Sequence, residues 1–271
     1  MVSASDWGSW IDDVRRAQTS KGRRTLGAFA CEGARLVSRA VAAEYPLRVV
    51  LVSDRVLRAA EGEEAAALDQ LRQAGAPLQK VPEGVLLELS AGRNSGRMIA
   101  LCELPANQPL EEIALGARER RRPVLVLVDV EEPGNLGALV RTALGADAAA
   151  VICVGRCDPF HAKAVRTSMG SIFRIPLAWG HEAEGVFEHL ASLQNIAAVS
   201  QGGEPPWVGE STRATAVWLG SEAEGLPEGV VRQCQRQVSI PMPTGIDSYS
   251  INAAAAVLLY EFGLREPVLE A

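Results

Sequence analysis

Polar side chains stand directly before an apolar helix near the end of the chain. Ser248, Ser250 and Asn252 precede an alanine-rich run through residue 262 that predicts a helix, and the short apolar stretch 238–240 before them predicts a strand. Serine and asparagine at a helix start can cap the free backbone N–H groups or bind a ligand. Taken alone, this segment favours the cap, so a ligand site needs support from other parts of the chain.

Two other loops carry residues that suit polar chemistry. Asn135 opens a predicted helix and Arg141 follows about two turns later. Glu222 lies in a turn bracketed by Gly220 and Gly225. Each residue also has an ordinary interpretation, since asparagine can cap the helix, arginine can form a surface ion pair, and acids favour helix starts.

These three loops belong to one predicted α/β domain. From Pro123 onward, short apolar strands alternate with helices, and the stretch 124–128 is continuously apolar, as in a parallel sheet covered on both faces. Ligands of such sheets bind beyond the carboxyl ends of the strands. We therefore expect the three loops to meet there.

The first part of the chain predicts a second, smaller α/β domain. Strands are expected at 28–31, 47–52, 78–81 and 98–103, and a basic, glycine-containing turn at 22–27. Residues 105–122 carry three loop-favouring residues and then a charged helical segment. We therefore expect a domain over 1–104, a linker over 105–122 and a second domain over 123–271.

Several functional classes are disfavoured by missing signals. The chain has neither a G-x-G-x-x-G dinucleotide fingerprint nor a phosphate-binding P-loop. Its five cysteines and three histidines form no zinc-ligand pattern, so no metal is expected. The odd cysteine count without C-x-x-C and the lack of an 18-residue apolar run favour a reduced, cytoplasmic, non-membrane protein.

The charge distribution points to nucleic acid at one end of the chain. The net charge is −6, yet the first 122 residues hold a small excess of basic side chains. An uninterrupted basic run contains Arg15, Arg16, Lys21, Arg23 and Arg24. A basic arm on an acidic body suits phosphate contact, and a solvated flexible leader is the equal alternative.

The three loops together resemble the ordered motifs of the SpoU (TrmH) family of RNA ribose 2′-O-methyltransferases. The similar segments are 133–143 (PGNLGALVRTA), 220–226 (GSEAEGL) and 240–252 (IPMPTGIDSYSIN), with a middle segment at 158–170. The stretch from Phe29 to Gly33 and the loop before Met98 resemble the family's ribosomal-protein-like RNA-binding domain. With this first-domain similarity, the resemblance covers most of the chain. Each motif alone is a weak signal, but three in order with suitable spacing are a strong one.

The resemblance implies a trefoil-knotted second domain that forms a homodimer and binds S-adenosylmethionine in the knot. It assigns the cofactor to Leu219, Gly220, Ile240, Met242 and Ile251. It assigns catalysis to Asn135, Arg141, Glu222, Ser250 and Asn252. Ser248 is a rival for the serine role, and the family's second serine is Ala254 here.

The resemblance also implies the reaction, which is methyl transfer to a ribose 2′-hydroxyl of structured RNA. Ribosomal RNA is favoured over transfer RNA, and the RNA-binding residues are expected to be Lys21, Arg23, Arg24 and Arg93. Two alternatives stay open, a catalytically silent RNA-binding relative and a different α/β enzyme with a nucleotide cofactor.

Overall fold

The computed structural model describes residues 7–90, 97–208, 214–245 and 248–263. The helices are α1 Gly8–Ala17, α2 Ser20–Leu26, α3 Ala34–Ala42, α4 Asp54–Ala59, α5 Gly62–Gln73, α6 Glu83–Leu89, α7 Leu110–Arg120, α8 Pro133–Gly145, α9 Ala162–Thr167, α10 Ala183–His189, α11 Glu228–Gln233 and α12 Ile251–Gly263. The strands are β1 Ala28–Glu32, β2 Leu47–Ser53, β3 Leu78–Val81, β4 Met98–Glu103, β5 Val124–Val128, β6 Ala150–Val154, β7 Leu177–His181, β8 Gln194–Ala198, β9 Thr215–Leu219 and β10 Arg236–Val238. Among these helices, none is both long and apolar enough to cross a bilayer.

The contacts divide the chain into two compact units. The first comprises Met1–Ala106 with Phe160–Phe173, and the second comprises Asn107–Pro159 with Arg174–Ala271. This division differs from the expected boundaries in two places, because α7 belongs to the second unit and the segment 160–173 to the first.

The first unit is built on a four-stranded mixed sheet in the order β1-β4-β2-β3. Strand β4 is antiparallel to both β1 and β2, and β2 is parallel to β3. The four strands predicted for this region are all present. Leu51 of β2 and Leu101 of β4 lie on neighbouring strands and are fully buried. Val14 of α1 packs in the same core. The predicted small α/β domain is thus confirmed.

The basic stretch after α1 is helical, so the prediction of a turn over residues 22–27 is wrong. Thr19 caps α2 by accepting a hydrogen bond from Gly22 N, and Gly27 ends the helix with a φ of 64°. Gly22 is required because a Cβ there would lie 2.0 Å from Arg16 O. The glycine therefore lets two short helices pack closely and does not break the second one.

An aromatic cluster holds the segment 160–173 on the first unit. Phe29 of β1 contacts Phe160 with ring centroids 5.0 Å apart, and Tyr45 contacts Phe173 at the same distance. Arg39 of α3 adds a hydrogen bond to the carbonyl of Met169. Buried aromatic pairs and a charge-assisted bond therefore fix this segment on β1 and α3.

The second unit is built on a six-stranded sheet in the order β10-β8-β9-β5-β6-β7, and every neighbouring pair is parallel. All five residues of β5 are buried, as are those of β6 and β9. The predicted parallel α/β domain is confirmed. The last strand was predicted at 238–240 but begins at Arg236 and ends at Val238, which releases Ser239 and Ile240 into the loop that follows.

A buried asparagine ties β8 to β9 and β10. Asn195 is 1% exposed and accepts a hydrogen bond of 2.9 Å from Trp218 Nε1. Its amide nitrogen donates to Leu190 O at 3.1 Å, and its backbone pairs with Gln235. The side chain therefore joins β9 to the end of α10, and the backbone of the same residue joins β8 to the segment before β10.

Replacing this asparagine should destabilise the protein strongly. Asn195→Ala leaves the buried N–H of Trp218 without its partner, while the carbonyl of Leu190 keeps its hydrogen bond from Leu193 N, so the free energy of unfolding should fall by about 2 kcal/mol. Urea unfolding followed by circular dichroism measures the loss. Gln237→Ala, on the exposed side of β10, is the control and should stay within about 0.5 kcal/mol of the parent. A loss below about 1 kcal/mol for Asn195→Ala would contradict this account of the network.

Candidate active site

A cavity of about 550 Å³ lies in the second unit, beyond the carboxyl ends of β8, β9 and β10. The five residues predicted to hold the cofactor all line it, and they are Leu219, Gly220, Ile240, Met242 and Ile251. The volume falls in the range of small-molecule sites. The loops after two different strands and the start of α12 thus converge on one hollow, as the parallel sheet predicted.

Gly220 makes the turn after β9 possible. A Cβ at this position would lie 2.0 Å from the carbonyl carbon of Gly225 and 2.3 Å from Leu226 N. No side chain can be accommodated at such distances, so the loop can close on itself only with glycine. The same closure is stabilised by a hydrogen bond of 2.9 Å from Gly225 N to Ser221 O.

A chain of polar side chains joins the three loops. Asn135 Nδ2 donates to Glu222 Oε2 at 2.7 Å, and Asn252 Nδ2 donates to Asn135 Oδ1 at 3.4 Å. Because an ionised carboxylate only accepts, it orients both amides in turn. Asn252 Oδ1 is left buried without a hydrogen-bond partner among the described residues. The chain of hydrogen bonds thus ends at a buried acceptor.

Asn135 does not cap α8, although capping was its ordinary interpretation. Pro133 occupies the first turn, so the helix begins earlier, and Glu132 is its N-cap. The carboxylate of Glu132 accepts a hydrogen bond of 2.6 Å from Asn135 N. The side chain of Asn135 is therefore available for Glu222.

Ser250 caps α12, as the ordinary interpretation predicted. Its hydroxyl accepts a hydrogen bond of 3.3 Å from Ala253 N, and its carbonyl accepts one of 3.0 Å from Ala254 N. Ser248, Ser250 and Ala254 all line the cavity. Both serines therefore stay candidates for the motif serine, and the position of the family's second serine faces the same space.

The loop between β5 and α8 is braced from the neighbouring strand. Asp129, with a φ of 51°, accepts a hydrogen bond of 3.0 Å from Arg156 N. Val130 N donates to the sulfur of Cys157 at 3.2 Å. The thiol of Cys153 and this backbone N–H lower the pKa of Cys157, because both donate to its sulfur. The loop that leads to Asn135 is thus held at two successive residues.

Arg141 is exposed on α8 and does not line the cavity. It lies six residues after Asn135, which is about 9 Å along the helix axis. Within residues 7–90, 97–208, 214–245 and 248–263, it forms no ion pair. The structure therefore brings Glu222, Asn135 and Asn252 together and leaves Arg141 as an unpaired cation outside that chain.

The residues predicted to contact RNA differ in their surroundings. Lys21 and Arg24 are exposed on α2. Arg23 is 3% exposed and its Nη1 donates to Ala17 O at 2.8 Å, so it stabilises the end of α1 and is not available to phosphate. The expectation for Arg23 is corrected accordingly. Arg93 lies outside the described residues.

Some cavity residues escaped the sequence interpretation. The end of β8 contributes Ala198, Val199 and Ser200, and the β9 turn contributes Glu224. For Ala198, Val199 and Ser200 the sequence held a usable signal, because the carboxyl ends of all strands in a parallel sheet lie at the same edge. In the structure β8 is the parallel neighbour of β9. Small and apolar residues at that edge carry no polar pattern that would single them out.

The described part of the chain contains no group of three or more His, Cys, Asp or Glu side chains that could hold a metal ion.

Comparison with known families accounts for both units of the chain. A model of the SpoU rRNA Methylase family matches residues 122–260. A model of the MRM3-like substrate binding domain matches residues 10–100.

Individual relatives match over nearly the whole length. A Bacillus subtilis protein named 23S rRNA (guanosine(2553)-2′-O)-methyltransferase is 26% identical over 259 residues, which cover 92% of this chain and 94% of the relative. A solved RNA 2′-O ribose methyltransferase is 29% identical with a TM-score of 0.75, covering 97% of this chain and 98% of that one. The AdoMet-bound rRNA methyltransferase from Sinorhizobium meliloti shares the fold, with a TM-score of 0.80 at 24% identity and 97% coverage of both chains.

Proposed function

Because the chain belongs to the SpoU rRNA methylase family, we propose that it transfers a methyl group from S-adenosylmethionine to a ribose 2′-hydroxyl of structured RNA. Ribosomal RNA is the favoured substrate, since the B. subtilis relative is named for 23S rRNA. The observation that carries the proposal is the cavity lined by the second and third motif loops, with Glu222 at its wall bonded to Asn135 of the first.

The cavity suits S-adenosylmethionine in size and in chemistry. Apolar side chains of Leu219, Ile240 and Ile251 provide contact area for a flat base, and the tight turn at Gly220 exposes backbone for polar groups. When bound, the cofactor supplies a methyl group on a sulfonium, which is already activated for transfer. The protein's tasks are therefore to align the ribose with it and to remove one proton.

The motif side chains divide these tasks. Arg141 grips the phosphate next to the target ribose, because a guanidinium binds phosphate through two parallel hydrogen bonds. Asn135 orients the ribose, and its amide is held in turn by Glu222 and Asn252. Ser250 fixes the start of α12, on which Asn252 lies.

The second domain is proposed to contain the family's trefoil knot. The path after β10 supports it, because Ile240, Met242 and residues 248–250 line the cavity beside the β9 turn. Helix α12 then packs against α8 and β9, and near its end the ring of Phe262 lies 5.9 Å from the guanidinium of Arg236 on β10.

The protein is proposed to form a homodimer through the C-terminal domain. Val257 and Tyr260 are large, exposed and three residues apart on α12, so they lie on one face of that helix. An apolar stripe of this kind suits a partner helix.

The first domain, over residues 1–104, is proposed to bind RNA, with 105–122 as linker and 123–271 as the methyltransferase domain. Lys21 and Arg24 are exposed cations without an acidic partner in the described residues.

Replacing both Lys21 and Arg24 with glutamine should weaken RNA binding about tenfold. The plot of log affinity against log salt concentration should become shallower by about two, because two fewer phosphate charges are neutralised. Fluorescence anisotropy across a salt series measures both quantities. Arg72→Gln, an exposed arginine already paired with Asp69, is the control, and an unchanged slope in the double variant would contradict the RNA contact.

The reaction itself is tested with radiolabelled S-adenosylmethionine. Ribosomal RNA should accept the label and bulk transfer RNA should not, and a 2′-deoxy substitution at the modified nucleotide should stop the transfer. Binding of both ligands without transfer would instead identify a catalytically silent RNA-binding relative. Transfer to transfer RNA alone would reverse the substrate preference.

A further inference from the structure

We propose that the carboxylate of Glu222 accepts the proton that leaves the ribose 2′-hydroxyl, which makes it the base of the reaction in the proposed function. The motif set contains an arginine, two asparagines and a serine besides Glu222. A guanidinium stays charged in proteins, and neither an amide nor a hydroxyl is a proton acceptor near neutral pH. Among the motif side chains, the carboxylate of Glu222 is therefore the one suited to accept a proton.

Among the described residues, two carboxylates, Glu222 and Glu224, line the cavity. Glu222 Oε2 accepts from Asn135 Nδ2 at 2.7 Å, and its Oε1 has no partner in the described residues. The carboxylate is therefore oriented by one oxygen and open at the other. Glu224 makes no side-chain hydrogen bond to the motif residues, although it lies two positions away on the same turn.

The backbone under Glu222 is fixed. Gly220 packs against Gly225 and Leu226 with no room for a side chain, and Gly225 N donates to Ser221 O at 2.9 Å. A base must stand within hydrogen-bond reach of the proton it removes, so a rigid turn beside the cofactor cavity is a suitable support.

The step balances without another reactant. The O–H bond of the ribose breaks, an O–C bond forms to the transferred methyl carbon, and the S–C bond breaks with its electron pair staying on sulfur. The proton forms a bond to Glu222 Oε1. The carboxylate becomes a neutral acid as the sulfonium becomes a neutral thioether, so no net charge is created, and the acid then loses its proton to water.

Glu222→Gln separates this role from a structural one, because the glutamine carbonyl can still accept from Asn135. Single-turnover methyl transfer to ribosomal RNA should slow about 100-fold, which is within the usual contribution of a general base. The Kd values for S-adenosylmethionine and for RNA should stay within about twofold of the parent. Glu228→Gln, at an exposed glutamate of α11 that does not line the cavity, is the control and should keep the parental rate, and Glu222→Asp should recover part of it.

Each other outcome has a definite meaning. A parental rate in Glu222→Gln, or an equal loss in Glu228→Gln, overturns the assignment. Loss of cofactor binding in Glu222→Gln also overturns it, because the residue would then support the cavity. If the parent protein transfers no methyl group in the same assay, the proposed function fails, and Glu222 fails with it.

Discussion

Gly220→Ala is expected to lower the affinity for S-adenosylmethionine at least about 100-fold, which corresponds to about 2.7 kcal/mol. A Cβ at this position would lie 2.0 Å from the carbonyl carbon of Gly225 and 2.1 Å from its oxygen. These are backbone atoms, so the clash cannot be relieved by rotating a side chain. The β9 turn must open, and with it the wall of the cavity changes shape.

The measurement is isothermal titration of purified protein with the cofactor. Gly229→Ala is the matched control, because no atom lies within 4 Å of a Cβ placed there and the residue belongs to α11. Alanine is favoured over glycine in a helix, so this variant should bind the cofactor as the parent does. Parental binding by Gly220→Ala would mean that the turn is not part of the cofactor site.

The strands of both sheets could be predicted from sequence because each is short, apolar and bounded by turn residues. The stretch 124–128 is the clearest case, since a continuous apolar run has one stable place in a parallel sheet. For β10 the strand was predicted to begin at Val238, but it begins two residues earlier, at Arg236. Arg236 and Gln237 are polar but pair with β8 at the sheet edge, where one side of a strand faces solvent.

Helix α2 shows why local composition was misleading in the first unit. Gly22, Ser20 and Thr25 lower the helix propensity of this segment, but Gly22 is there to permit contact with Arg16 of α1. Tertiary packing overrides a propensity of about 1 kcal/mol. The burial of Arg23 follows from the same packing, and no feature of the basic run distinguishes it from Arg24.

The candidate site was predictable to the level of loops but not of contacts. Strand–helix alternation places the ends of β5, β9 and β10 at one edge, so a shared site for the three motifs follows from topology. That Asn135 bonds to Glu222 does not follow, because the contact depends on where α8 begins. Pro133 and Glu132 move that start and free the amide.

Arg141→Ala should reduce methyl transfer about 1000-fold while the affinity for S-adenosylmethionine stays within about twofold of the parent. The residue is exposed and does not line the cavity, so truncating it removes no cofactor contact and no buried packing. Its proposed task is to bind the phosphate beside the target ribose and to stabilise charge on the 2′-oxygen. Single-turnover transfer and cofactor titration on the same preparation measure both effects.

Arg174→Ala is the control for this prediction, since Arg174 is also an exposed arginine of the second unit. Its loss should leave the transfer rate unchanged. Arg141→Lys should recover only a small part of the rate, because an ammonium lacks the planar pair of donors that matches a phosphate. A parental rate in Arg141→Ala would remove the residue from the mechanism, and loss of cofactor binding would make it structural. If the rate falls and rises again with saturating RNA, Arg141 contributes to substrate affinity alone, since stabilising the transition state would require a lower kcat.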